Sequence, residues 1–164
     1  MGESWIEQLA AVLRRESAEN PQKATAAEIA KFERDNSVAI PADWQDYFLS
    51  LNGTPAGYCG AECVTIGFWH LSQFKRLCES DTPADLMSLP YRDNWFSFAD
   101  FAIDCGRWAV CWAPEVQPNS PVLVDKFNDT VGLFADGIEE FVHLLGEGNI
   151  SRLMSYNQGE DGDV

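Results

Sequence analysis

Cys59, Cys63, His70 and Cys78 follow the order C-x3-C-x6-H-x7-C, and thiolates with an imidazole are ligands that a tetrahedral zinc ion takes. Along an extended chain Cys59 and Cys63 fall about 13 Å apart. That is too far for two sulfurs each about 2.3 Å from one metal unless the chain turns at Gly60. The spacing therefore favours small buried thiols over a metal set. A cysteine or serine nucleophile needs a base, and the two histidines are His70 and His143. His143 sits between Val142 and Leu144, with no nucleophile elbow beside it. Asp100 and Asp104 on one strand would again stand about 13 Å apart, wider than the roughly 5 to 9.5 Å of glycosidase carboxylate pairs. Asp104 with Gly106 reads as a turn. Gly146-Glu147-Gly148 lacks the third glycine of a dinucleotide fingerprint and reads as a helix stop. These patterns predict no enzyme, no metal and no cofactor.

Recognition chemistry has better material. The chain of 164 residues carries 26 acidic against 11 basic side chains, a formal charge of -15. Phosphate backbones and anionic membranes repel such a surface, whereas a basic protein is drawn to it faster and more selectively. Tyr91 and Trp95 lie beside the acids Asp81, Asp85 and Asp93 in an irregular stretch over residues 80–93. Aromatic residues dominate both cores and interface hot spots, so Tyr91 and Trp95 have two possible fates. Trp108 and Trp112, four apart on one strand face, read as core.

These side chains need a scaffold, and 46% hydrophobic residues with six Trp and ten Phe supply a core for one domain. Trp5, Ile6, Leu9, Val12 and Leu13 recur at three and four, predicting a helix over residues 4–20 capped by Ser4. Thr25-Ala26-Ala27-Glu28 is a capping-box pattern that opens a second helix, ending near Asp35-Asn36. A third runs from Pro41 to about Leu51, with Trp44, Tyr47, Phe48 and Leu51 inward and Asn52-Gly53 closing it. β-prone runs over residues 63–69, 94–103, 108–112 and 121–127 predict a mostly antiparallel sheet. Short helices are expected over residues 72–79 and 137–145, the latter capped by Asp136, and a final turn over Ile150, Leu153 and Met154.

The expectation is a single α+β domain over residues 1–155, with N-terminal helices on the sheet, a closing C-terminal helix, and a mobile acidic tail over residues 156–164. An odd number of cysteines, a start without a signal-peptide pattern and no run of roughly 20 apolar residues point to a reduced cytoplasm and away from membranes.

Ile29, Phe32 and Glu33, then Ile40, Pro41, Asp43 and Trp44, then Leu49, Asn52 and Gly53 match in order and spacing the "I-x-x-F-E" helix, the Ile-Pro helix start and the Asn-Gly close of the SMI1/KNR4 family. Over residues 25–145 the chain resembles this family, also called the SUKH superfamily. It has Thr54-Pro55-Ala56-Gly57 where the family often has another glycine and a phenylalanine, and Gly137-Ile138 where a Ser-Phe pair is usual. The resemblance implies a cytoplasmic α+β binding domain. In bacteria such domains are commonly immunity proteins that neutralise the toxin domain of a polymorphic or contact-delivered toxin, often a nuclease or another enzyme with a cytoplasmic target. Taken with the acids and aromatics above, this gives the expectation that Asp81, Asp85, Tyr91, Asp93 and Trp95 form a specificity patch for a basic cognate toxin domain, their carboxylates imitating the substrate phosphates the toxin grips. The alternative is a regulatory scaffold of the same fold, as in eukaryotic relatives. A third reading is a small enzyme or zinc protein built on Cys59, Cys63 and His70.

Overall fold

Ser4 begins the first helix by exchange with Glu7: the Glu7 amide donates to Ser4 Oγ (3.3 Å), and the Ser4 amide donates to Glu7 Oε2 (2.9 Å). This satisfies amide groups that have no partner inside the helix. The computed structural model describes residues 4–14, 22–54, 59–61, 64–79, 89–101, 106–126 and 131–147. Helix α1 spans Trp5–Arg14; the rest of the predicted first helix, the final turn over residues 150–154 and the tail over 156–164 lie outside the described residues.

Helix α2 spans Ala26–Asn36, opened by the expected capping box. The Glu28 amide donates to Thr25 Oγ1 (3.2 Å), and the Thr25 amide and hydroxyl donate to Glu28 Oε2 (2.7 and 2.8 Å). Those two bonds stabilise the carboxylate and lower its pKa. Helix α3 spans Ala42–Ser50, with Pro41 at its N-cap, and it buries Trp44, Tyr47 and Phe48.

Among the described residues seven strands form one sheet: β1 Cys59–Ala61, β2 Val64–Phe68, β3 Lys75–Arg76, β4 Trp95–Phe101, β5 Gly106–Cys111, β6 Val122–Lys126 and β7 Gly132–Ala135. The order is β1-β2-β4-β5-β6-β7, and every pairing is antiparallel. β3 joins the β4 edge that β2 also uses. Ile66 to Phe68 oppose Phe101 to Ala99, the Trp69 amide donates to the Phe98 carbonyl (2.8 Å), and Lys75 and Arg76 then oppose Ser97 and Phe96. β2 and β3 thus behave as one strand interrupted by a short excursion.

That excursion corrects the helix expected over residues 72–79: 3-10 turns at Leu71–Gln73 and Leu77–Glu79 flank β3. Leu71, Phe74 and Leu77 are all buried there, and their spacing imitates a helical stripe. β1, β3 and β7 carry two to four residues each, too few for a visible alternation. The closing helix α4 spans Ile138–Gly146. Gly137, not Asp136, occupies its N-cap; Asp136 contributes a backbone amide that donates to Glu140 Oε2 (3.0 Å). A Cβ at Gly137 would stand 2.5 Å from the Asn119 carbonyl oxygen. A side chain there would therefore collide with the loop that α4 begins against.

Alternation along the central strand divides the interior in two. Trp108, Val110 and Trp112 face the helices, while Ala109 and Cys111 point to the other side of the sheet, with Ala113 after them. All six residues of β5 are buried. On the helical side an aromatic core gathers around Trp44, whose ring centroid lies 5.3 to 6.0 Å from Trp5, Tyr47, Phe48, Phe74, Phe98 and Trp112. Trp112 stacks on Phe96 at 4.9 Å. The other side holds a smaller cluster of Leu77, Trp95, Ala109, Cys111, Ala113 and Leu123. The result is the expected single α+β domain, with helices α1 to α3 on an antiparallel sheet and α1 lying against α4. No helix among the described residues is long and apolar enough to cross a membrane.

Candidate interaction site

Residues of the family-like motif meet at one corner of the molecule. Glu33 Oε1 accepts the Ile40 amide (2.9 Å), bridging α2 to the approach of α3. Asn52 is buried and fully used: Nδ2 donates to the Gln22 carbonyl (2.8 Å), and Oδ1 accepts the Leu71 amide (2.8 Å). It ties the entry of α2 to the excursion between β2 and β3. Asn52 and Gly53 both have positive φ, 50° and 93°. A Cβ at Gly53 would lie 2.9 Å from backbone atoms of Phe68, Trp69 and His70, so only glycine fits. The Gly53 amide donates to Tyr47 Oη (3.0 Å), and burial raises the pKa of that phenol well above its ordinary value. The corner holds helices to sheet.

The expected partner patch is only partly assembled. Asp81 and Asp85 lie outside the described residues. Tyr91 is 40% exposed and takes left-handed backbone angles at the start of the 3-10 turn Arg92–Asn94. Asp93 is exposed, with Cys78 Sγ 3.9 Å from its Oδ1. Trp95 corrects the expectation: it is 4% exposed, packs in the smaller core cluster and donates through Nε1 to the Pro90 carbonyl (2.9 Å). Its ring is committed to holding the preceding turn against the sheet and offers no anchor to a partner.

The candidate chemical groups are dispersed. β1 and β2 form a hairpin, with Cys59 opposite Ile66, so residues 59–70 do not form the single extended run assumed from sequence. Cys63 lies outside the described residues. His70 precedes the first 3-10 turn, its amide donating to Gln73 Oε1 (2.9 Å). His143 is exposed on α4 and pairs with Glu147 at 3.3 Å. Asp104 lies outside the described residues; Asp100 accepts the Trp69 indole N–H (2.9 Å) and stands opposite Arg107 across the sheet. Among the described residues no group of three or more His, Cys, Asp and Glu side chains could hold a metal ion.

Two clefts offer concave surface. One, of about 520 Å³, lies between α2 and the Leu71–Gln73 turn, over Phe32, Leu71 and Phe74, and mixes Lys23 and Lys31 with Glu28 and Asp35. The other, of about 920 Å³, lies where α1 and the starts of α3 and α4 meet the loop over residues 117–119. Its apolar lining includes Trp5, Pro41, Pro118 and Ile138, and its acids are Asp43, Asp136, Glu139 and Glu140. Asp43 Oδ2 accepts the Trp5 indole N–H at 3.1 Å.

No model of a known protein family matches the chain, and no curated protein matches it. The acid-rimmed cleft was missed in the sequence because its carboxylates stand in or just before the first turns of separate helices, where acids are ordinary. The near repeat of Asp43 after Pro41-Ala42 and Glu139-Glu140 after Gly137-Ile138 was the available signal, and α1 joins the two, packing on α4 while its Trp5 meets Asp43 and Trp44 of α3.

Proposed function

We propose that the chain is a cytoplasmic immunity protein of the SUKH type, without catalytic activity, that binds a basic toxin domain and occludes its active face. One observation carries the reading: the motif residues act together as a structural clamp. Glu33, Asn52, Gly53 and Tyr47 spend their polar groups joining α2, α3 and the β2–β3 excursion. A motif of this kind specifies a fold and leaves the surface free to vary with the partner. The order of helices, antiparallel sheet and closing helix is an α+β arrangement of the kind the resemblance implies. A charge of -15 suits rapid capture of a basic partner. Occlusion of an enzyme face calls for an interface of roughly 800 Å² on each side, to which Tyr91 and Asp93 are open.

The test is affinity capture from lysate of the source cells, with low-salt and high-salt washes and identification of every retained protein. The expected result is one stoichiometric partner with a basic enzymatic domain, whose activity disappears on adding an equimolar amount of the chain. A partner whose activity is unchanged at saturation would replace this reading with the regulatory scaffold.

A further inference from the structure

The larger cleft combines two properties that a single kind of side chain satisfies. Its walls are apolar, formed in part by Trp5, Pro41, Pro118 and Ile138, and its rim carries Asp43, Asp136, Glu139 and Glu140 without a Lys or Arg among the lining residues. The starts of α3 and α4 offset some of that charge. Each helix N-terminus is equivalent to about half a positive charge, so two of them leave about three of the four negative charges uncompensated. No described Lys or Arg forms an ion pair with these carboxylates. Asp136 and Glu139 are exposed, and neither side chain accepts a hydrogen bond from a described residue. Asp43 is already aimed by the Trp5 indole. The other cleft differs: its lysines stand among its own acids, and Lys31 pairs with Asp35.

We propose that the larger cleft receives an arginine side chain presented by an exposed segment of a basic protein partner. The aliphatic stem lies on the apolar walls and the guanidinium meets the rim carboxylates, which its planar fork suits better than an ammonium does. A volume of about 920 Å³ leaves room for the flanking backbone of the segment. The inference rests on the reading of the chain as a binder of a basic partner, and it gives that partner a point of attachment distinct from the Tyr91 and Asp93 surface.

N-acetyl-arginine amide and its neutral isostere N-acetyl-citrulline amide serve as probes, titrated into the full-length chain with amide and indole NMR signals as the readout. Arginine should produce saturable shifts at the Trp5 indole, Ile138 and Glu139, and citrulline should bind about tenfold more weakly or not at all. The double variant Asp136→Asn, Glu139→Gln removes no hydrogen bond made to a described residue; it should keep the native spectrum and lose about tenfold in arginine affinity. Equal response to citrulline, unsaturable shifts over the whole acidic surface, or unchanged affinity in the double variant would each overturn the proposal. Arginine binding in a chain that captures no basic protein would retain the cleft and remove the partner reading. A captured basic toxin whose affinity ignores the double variant, with no arginine binding, would do the reverse.

Discussion

The corner built on Asn52 and the cleft at the starts of α3 and α4 are both polar, yet their polar groups are used in opposite ways. At the corner each group faces inward and is matched: Asn52 bonds through both its oxygen and its nitrogen, and Tyr47 and Glu33 each accept a specific amide. At the cleft most of the carboxylates face solvent, and among the described residues none meets a Lys or Arg. Buried polar groups are costly unless paired and so specify structure. Exposed unpaired charges contribute little to folding and remain available to a ligand. The contrast teaches where to look: substitutions at the corner should change stability, and substitutions at the cleft should change binding alone.

The largest effect expected lies under the corner, in the aromatic core it closes. Trp44 is 1% exposed and touches rings from α1, α3, β4 and the segment after β5. Trp44→Ala should cost about 3 to 5 kcal/mol through lost burial and a residual cavity, read as a lower urea midpoint with an unchanged slope. A loss below about 1 kcal/mol would mean that the helical layer is not held by this cluster.

Asn52→Ala should follow, at about 2 to 4 kcal/mol, since it leaves the Leu71 amide unmatched and puts a non-glycine, non-asparagine residue at positive φ. Asn52→Asp keeps the acceptor for Leu71 but sets a carboxylate oxygen against the Gln22 carbonyl in a buried site, so it should also lose more than about 1 kcal/mol. A loss below about 1 kcal/mol in Asn52→Ala would show that the Leu71 bond contributes little.

This corner was also the most legible part of the chain. Thr25-Ala26-Ala27-Glu28 caps α2 within four residues, Pro41 stands at the N-cap of α3, and Asn52 takes the left-handed angles that follow that helix; these local roles are legible, whereas the bonds of Asn52 to Gln22 and Leu71 and the crowding of Gly53 by residues 68–70 are not. Legibility fails where the decisive contact is distant in sequence. Leu71, Phe74 and Leu77 have helical spacing but are divided by a two-residue strand that β4 recruits. Trp95 has two fates in the sequence, anchor or core, and the smaller cluster and the Pro90 carbonyl claim it for the core. Asp136 looked like a cap, but the approach of Asn119 makes Gly137 the residue that fits.

Tyr47→Phe gives a smaller loss with a pH signature. The substitution leaves the buried Gly53 amide without its acceptor, at a cost of about 1 to 3 kcal/mol near neutrality. Because burial raises the folded phenol above its ordinary value of 10.0, the unfolded chain ionises first as pH rises. The stability linked to this phenol is therefore complete below that value and declines above it. The wild-type chain should lose stability above pH 10 more steeply than Tyr47→Phe, whose remaining tyrosines stay common to both. Parallel alkaline limbs in urea titrations would mean that Tyr47 ionises as freely when folded as when unfolded.

The smallest stability effect belongs to the cleft. The Glu139 side chain is exposed in the first turn of α4, makes no hydrogen bond with a described residue, and acts on the fold through the helix dipole. Glu139→Gln should change stability by no more than about 0.5 kcal/mol, close to the resolution of a urea titration. The corner and the cleft are then separated by both the size and the kind of consequence, for Glu139→Gln should weaken arginine binding while a change at Asn52 should weaken folding first. A Glu139→Gln chain destabilised as much as Asn52→Asp would erase the distinction, because the carboxylate would then be part of the structure and not a group held in reserve for a partner.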